Sequence, residues 1–172
     1  PNDTKINRSC SARVASLFFE YGHKDRAVGA LTLLVKNHPG TKAAKNAIET
    51  VIPMIKDDPI ALASFGNEVL KKPAYAKSPV GMKVKRLLRG IQIDLIKKEK
   101  PSSKRGSLFE KQALAAPNDP NAASLWYRAA SDHLSSGNVQ RAIRAYKKID
   151  QSYSSSSVHE ESLFELGKLL RA

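Results

Sequence analysis

Apolar residues recur along this chain at spacings of three and four, segment after segment, and the segments stop at glycine or proline. That period puts side chains on one face of an α-helix. Val14, Ala15, Phe18 and Phe19 mark a helix over about 8–21, ended by Gly22. Ala27, Leu31 and Leu34 mark a second over about 24–37, stopped by His38-Pro39-Gly40. Ala44, Ile48, Val51, Ile52 and Ile55 predict a third over about 41–56, with a kink or break at Pro53. Asp57-Asp58-Pro59 reads as a helix start, and Leu62, Phe65, Val69 and Leu70 carry that helix to about 71.

After a connector over 72–78, the stretch from about 79 to 98 is the most amphipathic. Val80, Val84, Leu87, Leu88, Ile91 and Leu95 fall in one arc of its wheel, and Lys85, Arg86, Arg89, Lys97 and Lys100 lie on the other side. Pro101-Ser102-Ser103 interrupts the chain before a helix over about 104–116, with Leu108, Phe109 and Leu114 inward. Pro117-Asn118-Asp119-Pro120 is a loop, and helices follow over about 122–135, 139–152 and 159–171. There is no alternating strand pattern and no Asn-Gly hairpin signal. The pattern predicts an all-α protein of about nine helices, and its short links predict antiparallel hairpins.

Two stretches share one punctuation. Ala15, Phe18, Gly22, Ala27, Leu31 and Pro39 are matched later by Trp126, Ala130, Gly137, Ala142 and Tyr146. Small residues stand where two helices would cross and large ones between them. This resembles the tetratricopeptide repeat, a helix–turn–helix unit of about 34 residues. The first set departs from the pattern at Ser11, where a large residue is expected. In the second, His133 replaces an aromatic and Ser154 a proline. Leu163, Leu166, Gly167 and Leu170 begin a further unit. The resemblance implies a right-handed α-solenoid over 1–172, with repeats at about 8–41, 42–78, 79–122 and 123–159 and an extra or capping helix at 160–172. It also implies that the chain is part of a longer protein.

Longer units of about 38 residues, and Tyr153-Ser154-x-Ser156 where many bacterial members have Tyr-Pro-x-Ser, narrow the resemblance to repeats of bacterial cell-envelope proteins. These are the outer-membrane assembly, Tol–Pal-associated and gliding-motility scaffolds, which favours the periplasm or cell envelope over the cytoplasm. In the family, the first helices of successive repeats line a concave groove that grips another protein. That names Ser9, Ala12, Ser16, Phe19 and Glu20 in the first repeat, and Ser124, Tyr127, Ser131, Leu134 and Ser135 in the later one. These positions lack the Lys/Asn/Arg pattern of the repeats that clamp a C-terminal carboxylate.

Charge adds a second candidate surface. The chain of 172 residues carries a net charge of +13, and the segment 71–105 alone supplies +10, from twelve basic and two acidic residues. Lys85, Arg86, Arg89, Lys97 and Lys100 form a basic patch that would attract an acidic protein surface, an acidic glycan, anionic lipid or nucleic acid. Between Lys77 and Arg105 there is no Tyr, Trp, Phe or His, so base stacking has no platform and nucleic acid is disfavoured. No apolar run spans a bilayer, so membrane contact is expected only by association.

Nothing in the sequence carries reaction chemistry. The single cysteine, Cys10, reads as a half-buried helix-start residue and allows neither an intrachain disulfide nor a thiolate metal site. His23, His38, His133 and His159 lack metal-ligand spacing, and His133 reads as a packing histidine at a repeat core position. Asp57-Asp58 and Glu160-Glu161 read as helix-start acids. The expectation is a non-enzymatic interaction scaffold with no cofactor, no metal and no small-molecule substrate. The alternative is a basic helical module that binds a polyanion through 71–105.

Overall fold

The computed structural model describes residues 3–171, with side chains described at position 10 and from 13 onward. Ten helices follow in order: α1 (Asp3–Glu20), α2 (Lys24–Asn37), α3 (Lys42–Ile55), α4 (Pro59–Leu70), α5 (Pro73–Ala76), α6 (Pro79–Lys98), α7 (Ser103–Ala115), α8 (Ala122–Ser135), α9 (Val139–Ser152) and α10 (His159–Arg171). The described residues contain no strand, so the protein is all-α. The expected nine helices become ten because the supposed connector holds α5. Its Tyr75 has no exposed surface and belongs to the core. A Cβ on Gly81, in the first turn of α6, would collide with the Tyr75 carbonyl oxygen, so glycine is what lets the two segments approach.

The helix ends follow from local chemistry. The Thr41 hydroxyl accepts from the Ala44 amide at 3.2 Å and starts α3. Asp58 accepts from the amides of Ile60 and Ala61 at 3.0 and 2.9 Å, with Pro59 in the first turn of α4. Ser102 accepts from the Arg105 amide at 3.1 Å and starts α7. Gly22 and Gly137 close α1 and α8 with positive φ. Pro53 does not break α3, which continues two residues beyond it to Ile55.

The chain forms two compact units, one up to Ile91 and one from Gln92 onward. The division falls inside α6, and hence inside the third expected repeat. In the first unit α1 packs on α2 and α2 on α3, with α4 contacting both α2 and α3. Its core includes Leu34, Ile48, Val51, Phe65, Val69, Tyr75 and Val84. In the second unit α7, α8, α9 and α10 pack in succession. Its core includes Phe109, Trp126, Ala130, Ala142, Tyr146 and Ile149. Burying a side chain the size of Ile149 contributes roughly 1.5–3 kcal/mol, and Ala129, Ala130, Ala142 and Ala145 share its core.

Several apolar residues expected to point inward do not. Val14, Leu95, Leu114, Leu163 and Leu170 are exposed. Leu95 shares the wheel direction of Leu88, but the first unit ends at Ile91, before α6 reaches it. The α6 residues that pack into the second unit are Ile93 and Ile96, which point elsewhere on the wheel. Cys10 is exposed rather than half-buried.

Candidate functional site

Several of the small and large positions read from sequence are buried in each unit. Ala15 and Ala27 are buried in the first, and Trp126, Ala130, Ala142 and Tyr146 in the second. Phe18 is half-buried, edge-on to the His23 ring at 6.4 Å and beneath the Arg26 guanidinium at 5.9 Å. Pro39 is exposed in the turn between α2 and α3. Gly167 is half-buried with open space where a Cβ would go, so nothing there enforces a small residue.

In the first unit, a groove of about 350 Å³ opens between α1 and α3 over α2. Its floor is Ala15, Ala27, Leu31, Leu34, Ala43 and Ala47, and its sides are Ser16, Phe19, Glu20, Asn46, Thr50 and Met54. The depression exists because the floor is largely alanine. The expected groove residues Ser16, Phe19 and Glu20 all line it, and Phe19 is 61% exposed at its edge. Ser9 and Ala12 lie outside the residues whose side chains are described. The sequence reading missed Asn46, Thr50 and Met54, although their spacing of four along α3 marks a single helix face.

In the second unit, a groove of about 340 Å³ is lined by Arg105, Ser124, Tyr127, Arg128, Ser131, Asp132 and Val158. Ser124, Tyr127 and Ser131, named from the sequence, are among its lining residues. Leu134 packs instead against the core of its unit, and the Ser135 hydroxyl donates to the Asp132 carbonyl at 3.1 Å. Tyr127 is not a free aromatic anchor. Its ring meets that of Tyr146 edge-on at 5.7 Å, and its hydroxyl donates to Glu161 Oε1 at 2.7 Å. Burial, then that bond, holds the Tyr127 hydroxyl well above its ordinary pKa. Burial, then the nearby Glu165 and Glu161 charges, pushes Tyr146 up to about 12.

Two polar links in this unit were invisible in the sequence. Arg105 grips the buried Asp132 with two bonds, Nε to Oδ2 at 2.7 Å and Nη2 to Oδ1 at 2.6 Å, and Nη1 donates to the Glu99 carbonyl at 2.6 Å. That hydrogen-bonded carboxylate holds the guanidinium above its ordinary pKa. His133 has no exposed surface. It sits between Ser103 Oγ, 3.0 Å from Nδ1, and Glu110 Oε1, 3.1 Å from Nε2. A ring protonated on Nε2 satisfies both partners. Arg141 extends the chain, donating to Glu110 at 3.3 Å and to Ser107 at 2.8 Å. The order Ser–His–Glu is that of a nucleophilic triad, but the ring is shielded from solvent, and neither groove is lined by Ser103 or His133. The network ties α7 to α8 and α9.

The basic residues divide between the units. In the first, Arg86 is exposed, Lys85 donates to the Ala76 carbonyl at the end of α5 at 2.9 Å, and Arg89 is half-buried. In the second, Lys97 pairs with Asp94 at 2.9 Å and Lys100 is exposed just beyond α6. Arg105, counted in the basic segment, is neutralised by Asp132. Among the described residues no group of three or more His, Cys, Asp or Glu could hold a metal ion, and no helix is long and apolar enough to cross a membrane.

No protein-family model matches the chain, and no curated protein sequence matches it either.

Proposed function

We propose that the chain is a non-enzymatic interaction scaffold built of tetratricopeptide-like repeats, arranged as a right-handed solenoid, that binds a protein partner through its groove faces. The observation that carries the reading is the first groove, with its alanine-rich floor and a phenylalanine left 61% exposed at its edge. Exposed aromatics beside apolar depressions are the anchors that dominate interface energies. The recurrence of the same small-residue and glycine positions in the second unit supports a repeat origin for both grooves. The resemblance to bacterial envelope repeats supports a cell-envelope assembly or motility complex as its setting within this reading.

Partner capture by the whole protein tests this. Phe19→Ala should reduce capture of a purified partner at least tenfold, corresponding to about 1.4 kcal/mol. Unchanged capture would refute the groove reading.

A second reading, polyanion binding through the basic segment, draws on Lys83 and Arg86, which are exposed and take part in no ion pair among the described residues. Capture that survives Phe19→Ala but is lost in Lys83→Glu/Arg86→Glu would favour it.

A further inference from the structure

The first groove has a feature that runs against the charge of the whole chain. Glu20 is the one charged side chain among its described lining residues, although the chain carries +13. Glu20 is exposed, and among the described residues it makes no ion pair. A carboxylate with no cation among the described residues, beside an alanine floor, is complementary to a ligand that joins an apolar group to a positive one. The depression of about 350 Å³ has room for a large side chain, and Phe19 and Met54 border it as apolar walls. Asn46 supplies a side-chain amide along the α3 side for the ligand backbone, while the Thr50 hydroxyl, which donates to the Asn46 carbonyl at 2.9 Å, is left to accept.

Resting on the scaffold reading, we propose that this groove selects a peptide segment with a bulky aliphatic or aromatic side chain and a Lys or Arg within a few residues of it. The apolar side chain sits on Ala15, Ala43 and Ala47, and the cation meets Glu20. Charge sign thus separates this groove from the basic segment of the chain. Opposite charges across an interface set partner choice more than raw affinity.

A displayed library of random twelve-residue peptides, selected on the whole protein and in parallel on Phe19→Ala, tests both levels. Peptides that depend on Phe19 should be enriched in a large apolar residue with Lys or Arg nearby. Glu20→Lys, a change at an exposed position, should shift the selected charge to Asp or Glu. It should also weaken the wild-type peptides roughly tenfold. Phe19-dependent peptides with neutral or acidic neighbours would overturn the charge rule and leave the scaffold reading standing. No Phe19-dependent enrichment at all would overturn both.

Discussion

Gly22 and Gly137 stand in different units and hold the same left-handed conformation, with φ of 77° and 74°. Each closes its helix with the same pair of bonds. The residue after the glycine donates five back, His23 to Phe18 at 2.7 Å and Asn138 to His133 at 2.8 Å. The glycine itself donates three back, to Phe19 at 3.0 Å and to Leu134 at 2.9 Å. This is the Schellman closure, which requires positive φ at one residue.

Alanine at either glycine should therefore destabilise the protein by about 1–2 kcal/mol, because the left-handed region penalises a Cβ. Gly167→Ala should do the opposite and stabilise by about 0.5–1 kcal/mol, since that glycine lies inside α10 with open space around it. Urea denaturation of the three variants checks the sign of each. A loss at Gly167 as large as at Gly137 would mean that positive φ is not what selects glycine at the turns.

Those turns show what a sequence can and cannot carry. Helix bounds were legible because Gly22, Pro39, Asp58, Pro79 and Gly137 act locally, through φ, caps and missing donors. The helices at 24–37, 79–98, 122–135, 139–152 and 159–171 match their expected bounds. Phe19 and Glu20 of α1, and Tyr127 and Ser131 of α8, line depressions at positions that the helical period alone could name. The links through Arg105–Asp132 and Ser103–His133–Glu110 were not legible, because partners 23 to 30 residues apart are set by packing between helices. Tyr75 was missed because a four-residue helix is too short to show a period. Leu95, Leu114 and Leu170 misled because periodicity names a face without showing that anything covers it.

The Arg105–Asp132 pair gives a stability test. Asp132→Ala should destabilise by about 3–5 kcal/mol, because it strips a half-buried guanidinium of its carboxylate. Replacing both residues by apolar ones, Arg105→Met with Asp132→Leu, should cost less than Asp132→Ala alone. A double-mutant cycle measured in urea reads the coupling. Additive losses would show that the two side chains act independently.

Alkaline pH should unfold the protein earlier than its acidic and basic surface groups would require. The Tyr146 hydroxyl has an ordinary value of 10.0 and is pushed to about 12 in the fold, chiefly by burial. The unfolded chain therefore releases this proton first, so stability falls as pH rises from about 10 to 12. Tyr127 shifts in the same direction and adds to the fall. Tyr146→Phe should flatten the slope in that window, as measured by denaturation midpoints at stepped pH. An unchanged slope would mean that this hydroxyl is not desolvated.

The basic segment predicts salt-sensitive retention. Binding to heparin should weaken steeply with salt, as expected where cations displace counterions. Lys83→Glu with Arg86→Glu should lower the eluting salt concentration while leaving the melt unchanged. Lys85 and Arg89 are poor choices for the same test, because one caps α5 and the other is half-buried. Elution of the double variant at the wild-type salt concentration would move the attraction to other lysines.

The central claim is that the partner lies in the groove between α1 and α3. A photo-crosslinking amino acid placed singly at Phe19, Asn46 and Thr50, and in parallel at exposed Leu33, Arg86 and Leu114, tests it most directly. Irradiation of each protein with its partner should give crosslinks at the three groove positions and little at the others. Crosslinks confined to position 86, or spread evenly over all six, would contradict the claim.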